Sequence, residues 1–449
     1  MDVGSEQSEM NQTPPGLSRW TSAFALLDQV VQKPASHRGK PGGVNEKRTG
    51  MVSQRMWQEH ELKDQYDVVI IGGGVHGLAT AYYLTKLGVR NIAVLEAKYV
   101  GFGGSGRNTA IVRSNYRTPE GIAFYDLSVK LYEQLAADLE FNVMFSQHGH
   151  LTLAHNEKGV TGLTERANTN QLMGVNSRII CPEEIQRIVP DLNVFGHSRF
   201  PIQAALYHPP GGIIRHDAVV WAFARGVDRG GGHVHQKTEV TGIEVQNGQV
   251  EAVVTNRGRI KTKTVLNATA GYAGLISRMV GLEIPIETHP LQAAVTEPLK
   301  PFLNSVIVSS TLHVYVSQTD RGELVLGAEV DDHASYSLRG TLSFLEGAAT
   351  HLLELFPHLA NVKILRQWAG LCDMTPDYSP IMGGTPDVKG FLMTVGWGTY
   401  GFKAGPASGK LMAELIMTGK TPPTLEPFAL TRFYEDRLVG EKAAASVSH

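Results

Sequence analysis

Residues 66–96, YDVVIIGGGVHGLATAYYLTKLGVRNIAVLE, constrain the fold more than any other part of the chain. The continuous apolar run from Val68 to Ile71 predicts a parallel strand covered on both faces. Gly72, Gly74 and Gly77 follow it as G-x-G-x-x-G. In such a turn the first glycine allows a tight bend, the second lets backbone approach a pyrophosphate, and the third brings helix close to strand. The helix start carries N–H groups without intrahelical partners and the positive end of the helix dipole, so a diphosphate is held there. Glu96 closes the next apolar strand, where a carboxylate can take a ribose hydroxyl. The three glycines alone are a weak signal. With strand, helix, second strand and acid in register, they predict dinucleotide binding.

At 449 residues the chain exceeds one ordinary core, and two domains are expected. A formal charge of −2 argues against a general nucleic-acid surface. Cys181 and Cys372 are far apart and form no C-x-x-C, which excludes a disulfide framework or cysteine zinc site and suits a reducing compartment. No apolar run reaches the ~18 residues of a membrane span. Asp2, Glu6 and Glu9 near the start argue against a transit peptide, and the default location is cytoplasmic. The 17 histidines include the pairs His148/His150 and His233/His235, yet no third ligand and no H-E-x-x-H accompany them, so no metal site is expected.

Residues 1–60 read as an extension that is partly disordered. It holds one short amphipathic stretch (residues 18–32), then a Gly/Pro-rich basic piece, residues 33–50, too polar to fold alone. Leucines 127, 131, 135 and 139 recur at helical spacing. Residues 148–155 alternate as a strand, and His216–Arg229 reads as a helix. A β-meander follows, with turns at Asn247-Gly248 and Arg257-Gly258 and a last strand, RIKTKTVLNAT, running into the small residues 267–271. Residues 288–330 alternate again, and residues 344–356 read as a helix. Near the C-terminus a glycine-rich turn, residues 396–403, enters a helix over residues 406–418. That offers a second helix N-terminus to an anion or a flavin carbonyl oxygen.

These blocks, with GRNTAIVRSNY (106–116), FSQHGHLTLAH (145–155), GGIIRHDAVVWAFARG (211–226), THPLQAAVTEP (288–298), QWAGLCDMTPDYSPIMG (367–383) and GWGTYGFKAGPASG (396–409), occur in a shared order. Over about residues 60–449 the chain resembles the amine-oxidising flavoproteins of the D-amino-acid oxidase and sarcosine oxidase superfamily. Within it the chain resembles the β subunits of heterotetrameric sarcosine oxidases. The resemblance implies an α/β fold: a Rossmann-like FAD-binding domain of the D-amino-acid oxidase (GR2) type, interleaved with an α+β substrate domain on a largely antiparallel sheet. Expected boundaries are residues 64–125, 206–285 and 366–435 for the first, and 126–205 and 286–365 for the second.

The resemblance also implies the chemistry. A secondary amino acid such as sarcosine gives up a hydride equivalent to flavin N5, and its carboxylate needs fixed cations. Arg113 and Lys403 match the family's carboxylate clamp, a fork and a point charge. Alone, either would read as a solvated surface charge. Gly72, Gly74, His76, Gly77, Glu96, Arg107, Asn108, Thr109, Gly398, Thr399, Gly401 and Phe402 match FAD-contacting positions. His216 matches the histidine that β subunits attach covalently to FMN, a cofactor lying between β and α subunits that passes electrons from FAD to oxygen. Read without the family, His216-Asp217 merely opens a helix. Strands LHVYVSQ (312–318) and ELVLGAEVD (323–331) lack the lysine that helps single-chain sarcosine oxidases reduce oxygen, and Cys372 does not align with their flavin-linking cysteine. Noncovalent FAD that hands electrons onward is expected, with Cys372 a core residue.

The implied activity is oxidation of sarcosine to glycine and formaldehyde, or methylene-tetrahydrofolate, with hydrogen peroxide formed, in a complex with α, γ and δ subunits. Two readings compete with it. One is a dehydrogenase for proline, dimethylglycine or a D-amino acid that passes electrons to a carrier. The other is a flavin-bearing assembly subunit without activity, against which the retained cation pair argues.

Overall fold

In the structure, a computed structural model, residues 55–441 are described. The expected amphipathic stretch and basic piece lie outside the described residues. Residues 68–71 form the expected central strand, Val68–Ile71, with all four side chains buried. It pairs in parallel with Ile92–Leu95 on one side and Val265–Asn267 on the other. The complete sheet runs Ile381–Gly384, Phe391–Val395, Val265–Asn267, Val68–Ile71, Ile92–Leu95, His233–His235, and only the first pair is antiparallel. A separate meander holds Val240–Gln246, Gln249–Thr255 and Gly258–Lys261.

The third sheet has eight strands in the order Ile364–Met374, Glu287–Pro298, Glu323–Val330, Val314–Gln318, Val306–Ser309, His150–Ala154, Ala204–His208, Arg178–Ile180. Val306–Ser309 and His150–Ala154 run parallel; every other pair is antiparallel. The α/β fold with its largely antiparallel second sheet is therefore as expected. Strands Ile364–Met374 and Ala204–His208, which begin inside the intervals expected for the substrate domain and run past their ends, belong to this eight-stranded sheet.

Two local expectations are corrected. RIKTKTVLNAT is not one strand, because residues 262–264 carry the chain from the meander to the parallel sheet. The leucines at helical spacing fall, as expected, on a helix, Pro119–Asp138, whose buried side chains include Phe124, Tyr125, Val129, Tyr132 and Leu135, with Leu127 and Leu131 half-buried. This helix packs into the core of the glycine-turn domain. The last helix starts at Gly401, ahead of Pro406, so Lys403 lies in its first turn. Pro406 has no N–H for the Phe402 carbonyl four residues back. The Tyr132 hydroxyl donates to that carbonyl instead, at 2.6 Å, which lets the helix pass through the proline.

The last described residues are tied down by a buried ion pair. The Arg432 guanidinium, 1% exposed, grips Asp377 through two bonds of 2.7 and 2.9 Å. Asp377→Ala would strand that charge, so a stability loss of about 3–5 kcal/mol is expected in denaturant unfolding. A loss below about 1 kcal/mol would contradict this role. Among the described residues no helix is long and apolar enough to cross a membrane.

Candidate active site

Two helix starts, Val75–Lys86 and Gly401–Thr418, open on one cavity of about 540 Å³. Its size suits a cofactor with a small substrate. At the first helix, Gly72 has φ +116°, and a Cβ there would lie 2.4 Å from the Ala268 carbonyl oxygen. A Cβ on Gly77 would lie 2.1 Å from the Gly72 carbonyl oxygen, so the third glycine permits helix and strand to touch. Gly72, Gly74 and His76 line the cavity, whereas Gly77 does not and acts through packing. Glu96 lines it too. Its two oxygens accept from Gly73 N (2.9 Å) and Lys98 N (2.8 Å), and each keeps a lone pair for a ribose hydroxyl. Burial raises its pKa.

Arg107, Asn108 and Thr109 form another wall. The Arg107 guanidinium lies 4.2 Å over the Phe102 ring, and Asn108 Oδ1 accepts from Ala110 N at 2.6 Å. At the second helix, Gly398, Thr399, Gly401 and Phe402 line the cavity. His76 joins the two turns: its ring stacks on Trp397 at 4.3 Å, and its Nδ1 lies 2.6 Å from Ser408 Oγ. Burial pushes its pKa down to about 3, so the ring is neutral.

Arg113 and Lys403 reach the same cavity from elements far apart in sequence. Arg113 is 2% exposed and Lys403 9%. Arg113 Nη1 donates to the carbonyl and side-chain oxygens of Asn115, at 3.1 and 2.9 Å, while its buried Nη2 has no partner. No carboxylate among the described residues pairs with either cation. Burial, then the charge of Arg113, holds the Lys403 ammonium well below the usual lysine range. Two buried cations short of a counter-charge make a site for an anion.

His216 does not line the cavity. It opens helix His216–Arg229, half-buried, with its ring edge-on to Phe402 at 6.5 Å. Asp217, in the helix's first turn, accepts from Ala218 N (2.8 Å) and pairs with Arg215, and His216 makes no hydrogen bond among the described residues.

Residues 67–415 match the family described as FAD dependent oxidoreductase. The chain belongs to that family. It is 44% identical to sarcosine oxidase subunit beta of Rhodobacter capsulatus, an alignment covering 88% of this chain and 95% of that one. It is 41% identical to sarcosine oxidase subunit beta of an Arthrobacter species, covering 88% and 97%. Among solved structures, L-proline dehydrogenase from P. horikoshii superposes with TM-score 0.80 at 31% identity, covering 84% of this chain and all of that one. The resemblance to β subunits seen in the sequence therefore holds, and the protein is an FAD-dependent oxidoreductase. The walls fit that cofactor: a glycine turn with a helix start, an acid for a ribose, and a second helix start beside an unpartnered Trp397 Nε1.

Several cavity residues were not singled out from sequence. Ser105 Oγ accepts from Val75 N at 2.9 Å, bracing the first turn. Asp373 accepts from Gly396 N at 2.6 Å and shapes the second, with burial pushing its carboxyl up to about 6. Tyr315 enters from the lysine-free strand opposite Gly327, where a Cβ would strike its hydroxyl. Cys372, expected in the core, is buried but also lines the cavity. Burial raises its pKa, so its thiol is a poor nucleophile. Of the histidine pairs, His148 is exposed while His150 is buried in the cavity wall, and His233 with His235 contacts the Tyr66 hydroxyl at 2.9 Å. Single inward positions on strands carry no motif, which is why pattern reading passed over them.

Proposed function

We propose that this protein is the catalytic subunit of a sarcosine oxidase, oxidising sarcosine to glycine and formaldehyde, or methylene-tetrahydrofolate where a partner subunit holds the folate. The observation that carries the reading is the pair Arg113 and Lys403, buried without a carboxylate beside the cofactor walls. The relatives named sarcosine oxidase subunit beta support the substrate. FAD, held noncovalently by the two turns, supplies the two-electron chemistry.

The protein's own contribution is binding and orientation. Arg113 offers its free Nη2 to the substrate carboxylate, and Lys403 regains a full charge beside it. The neutral His76–Trp397 stack holds the two helix starts in register. We assign His216 as the attachment point of a covalent FMN, supported by its uncommitted ring and by its position outside the main cavity. Hydrogen peroxide would then form away from the substrate, with α, γ and δ subunits completing a cytoplasmic complex. The interleaved domains at the boundaries stated above are part of the same reading.

Anaerobic addition of sarcosine to the purified holoenzyme tests it, with rapid loss of the flavin absorption expected. Bleaching by L-proline but not by sarcosine would favour the second reading, which the likeness to L-proline dehydrogenase supports. Mass spectrometry of denatured protein from the assembled complex is expected to show an added FMN mass on the peptide containing His216. An unmodified peptide in an active complex would remove that assignment.

A further inference from the structure

Strand His150–Ala154 alternates in the ordinary way. Leu151 and Leu153 enter the apolar core of the eight-stranded sheet, which leaves His150 and Thr152 on the opposite face. His150 lies directly across from His208 on the neighbouring strand, and the two buried imidazoles differ sharply. His208 is fully engaged, with Ser114 N at 3.2 Å on one nitrogen and Asn176 O and Ser177 Oγ at 2.9 and 3.1 Å on the other. His150 is 1% exposed, lines the cavity, and neither of its ring nitrogens has a partner. A buried ring with an unused donor and an unused acceptor is a costly arrangement unless something in the cavity meets it.

We propose that a ring nitrogen of His150 accepts the N–H of the substrate's amine, and that this bond selects secondary over tertiary amino acids. The inference rests on the sarcosine-oxidising reading above. A carboxylate seated on Arg113 and Lys403 places the amine one carbon away, within the neighbourhood where His150 feels both cations. That field disfavours a third positive charge, so the amine is bound neutral. Burial, then Arg113, Arg166, His208 and Lys403, keep the imidazole neutral as well, which leaves one nitrogen free to accept. A neutral secondary amine has one N–H to give. A neutral tertiary amine has none, so it leaves the acceptor unpaired, the situation that binding sites reject most strongly.

The test is anaerobic stopped-flow reduction of the holoenzyme by sarcosine and N,N-dimethylglycine, and by L-proline and N-methyl-L-proline, in wild type, His150→Leu and His150→Asn. His150→Leu should lower the reduction efficiency with the secondary amino acids about 10- to 100-fold. With the tertiary ones it should change less than about threefold, so the preference collapses, and His150→Asn, which keeps an acceptor, should recover most of it. Binding of methoxyacetate, a carboxylate with no N–H, should perturb the flavin spectrum equally in all three proteins. Equal losses for both substrate classes, an unchanged preference, or lost methoxyacetate binding would each overturn the role of His150 while leaving sarcosine oxidation standing. Failure of all four amino acids to reduce the wild type would overturn both.

Discussion

Lys403→Met is expected to yield a folded, yellow protein whose reduction by sarcosine is weakened by about 2–5 kcal/mol, roughly 30- to 5,000-fold in efficiency. Methionine fills the space of the alkyl stem without the charge. The wild-type Lys403 sits buried beside Arg113 with no counter-ion of its own, and burial and that neighbouring charge both disfavour its ammonium, so its replacement removes a cost in the free protein. The melting temperature should therefore hold or rise even as substrate binding fails. Arg113→Met should lose at least as much activity but should also loosen the fold, because Arg113 Nη1 holds the Asn115 carbonyl and side chain. Arg113→Lys should recover little, since a lysine cannot reproduce the planar fork. Anaerobic bleaching rates and thermal unfolding read both effects. Unchanged sarcosine kinetics in yellow Lys403→Met would remove this residue from the substrate site.

Gly77→Ala is expected to produce nearly colourless protein, and Gly74→Ala to do the same for a different reason. A Cβ on Gly77 would sit 2.1 Å from the Gly72 carbonyl oxygen, backbone against backbone, so helix and strand must separate. Overpacking of that kind costs about 1–3 kcal/mol, with a matching fall in stability. A Cβ on Gly74 meets only the Ser105 hydroxyl, at 3.0 Å, which can shift slightly. Its fold should survive, because the second glycine serves the ligand rather than the packing. Flavin content after purification and the melting temperature of the apo-proteins separate the two. A Gly77→Ala protein with full flavin and an unchanged melting temperature would show that the close contact does not position the cofactor turn.

Local sequence by itself determined the first half of this protein's site. Residues 66–96 specify a strand, a glycine turn, a helix and an acid whose roles depend on neighbours along the chain, and the structure reproduces them in order. The helix His216–Arg229 and the meander's Asn247-Gly248 turn were legible for the same reason. Where the outcome depended on a distant partner, the pattern misled. Pro406 suggested a helix start, yet a hydroxyl from Tyr132, remote in sequence, satisfies the freed carbonyl and lets the helix begin at Gly401.

Family resemblance brought Arg113 and Lys403 together in advance, but it could not say how they are housed. Only the tertiary structure decided that both cations are buried without a counter-charge, that His216 stands outside their cavity, and that His150 faces it with two unused nitrogens. Burial and missing partners are properties of a position in space. Alternation along a strand leaves open which face meets a cavity, because that depends on what the other sheet and the two helix starts place against it.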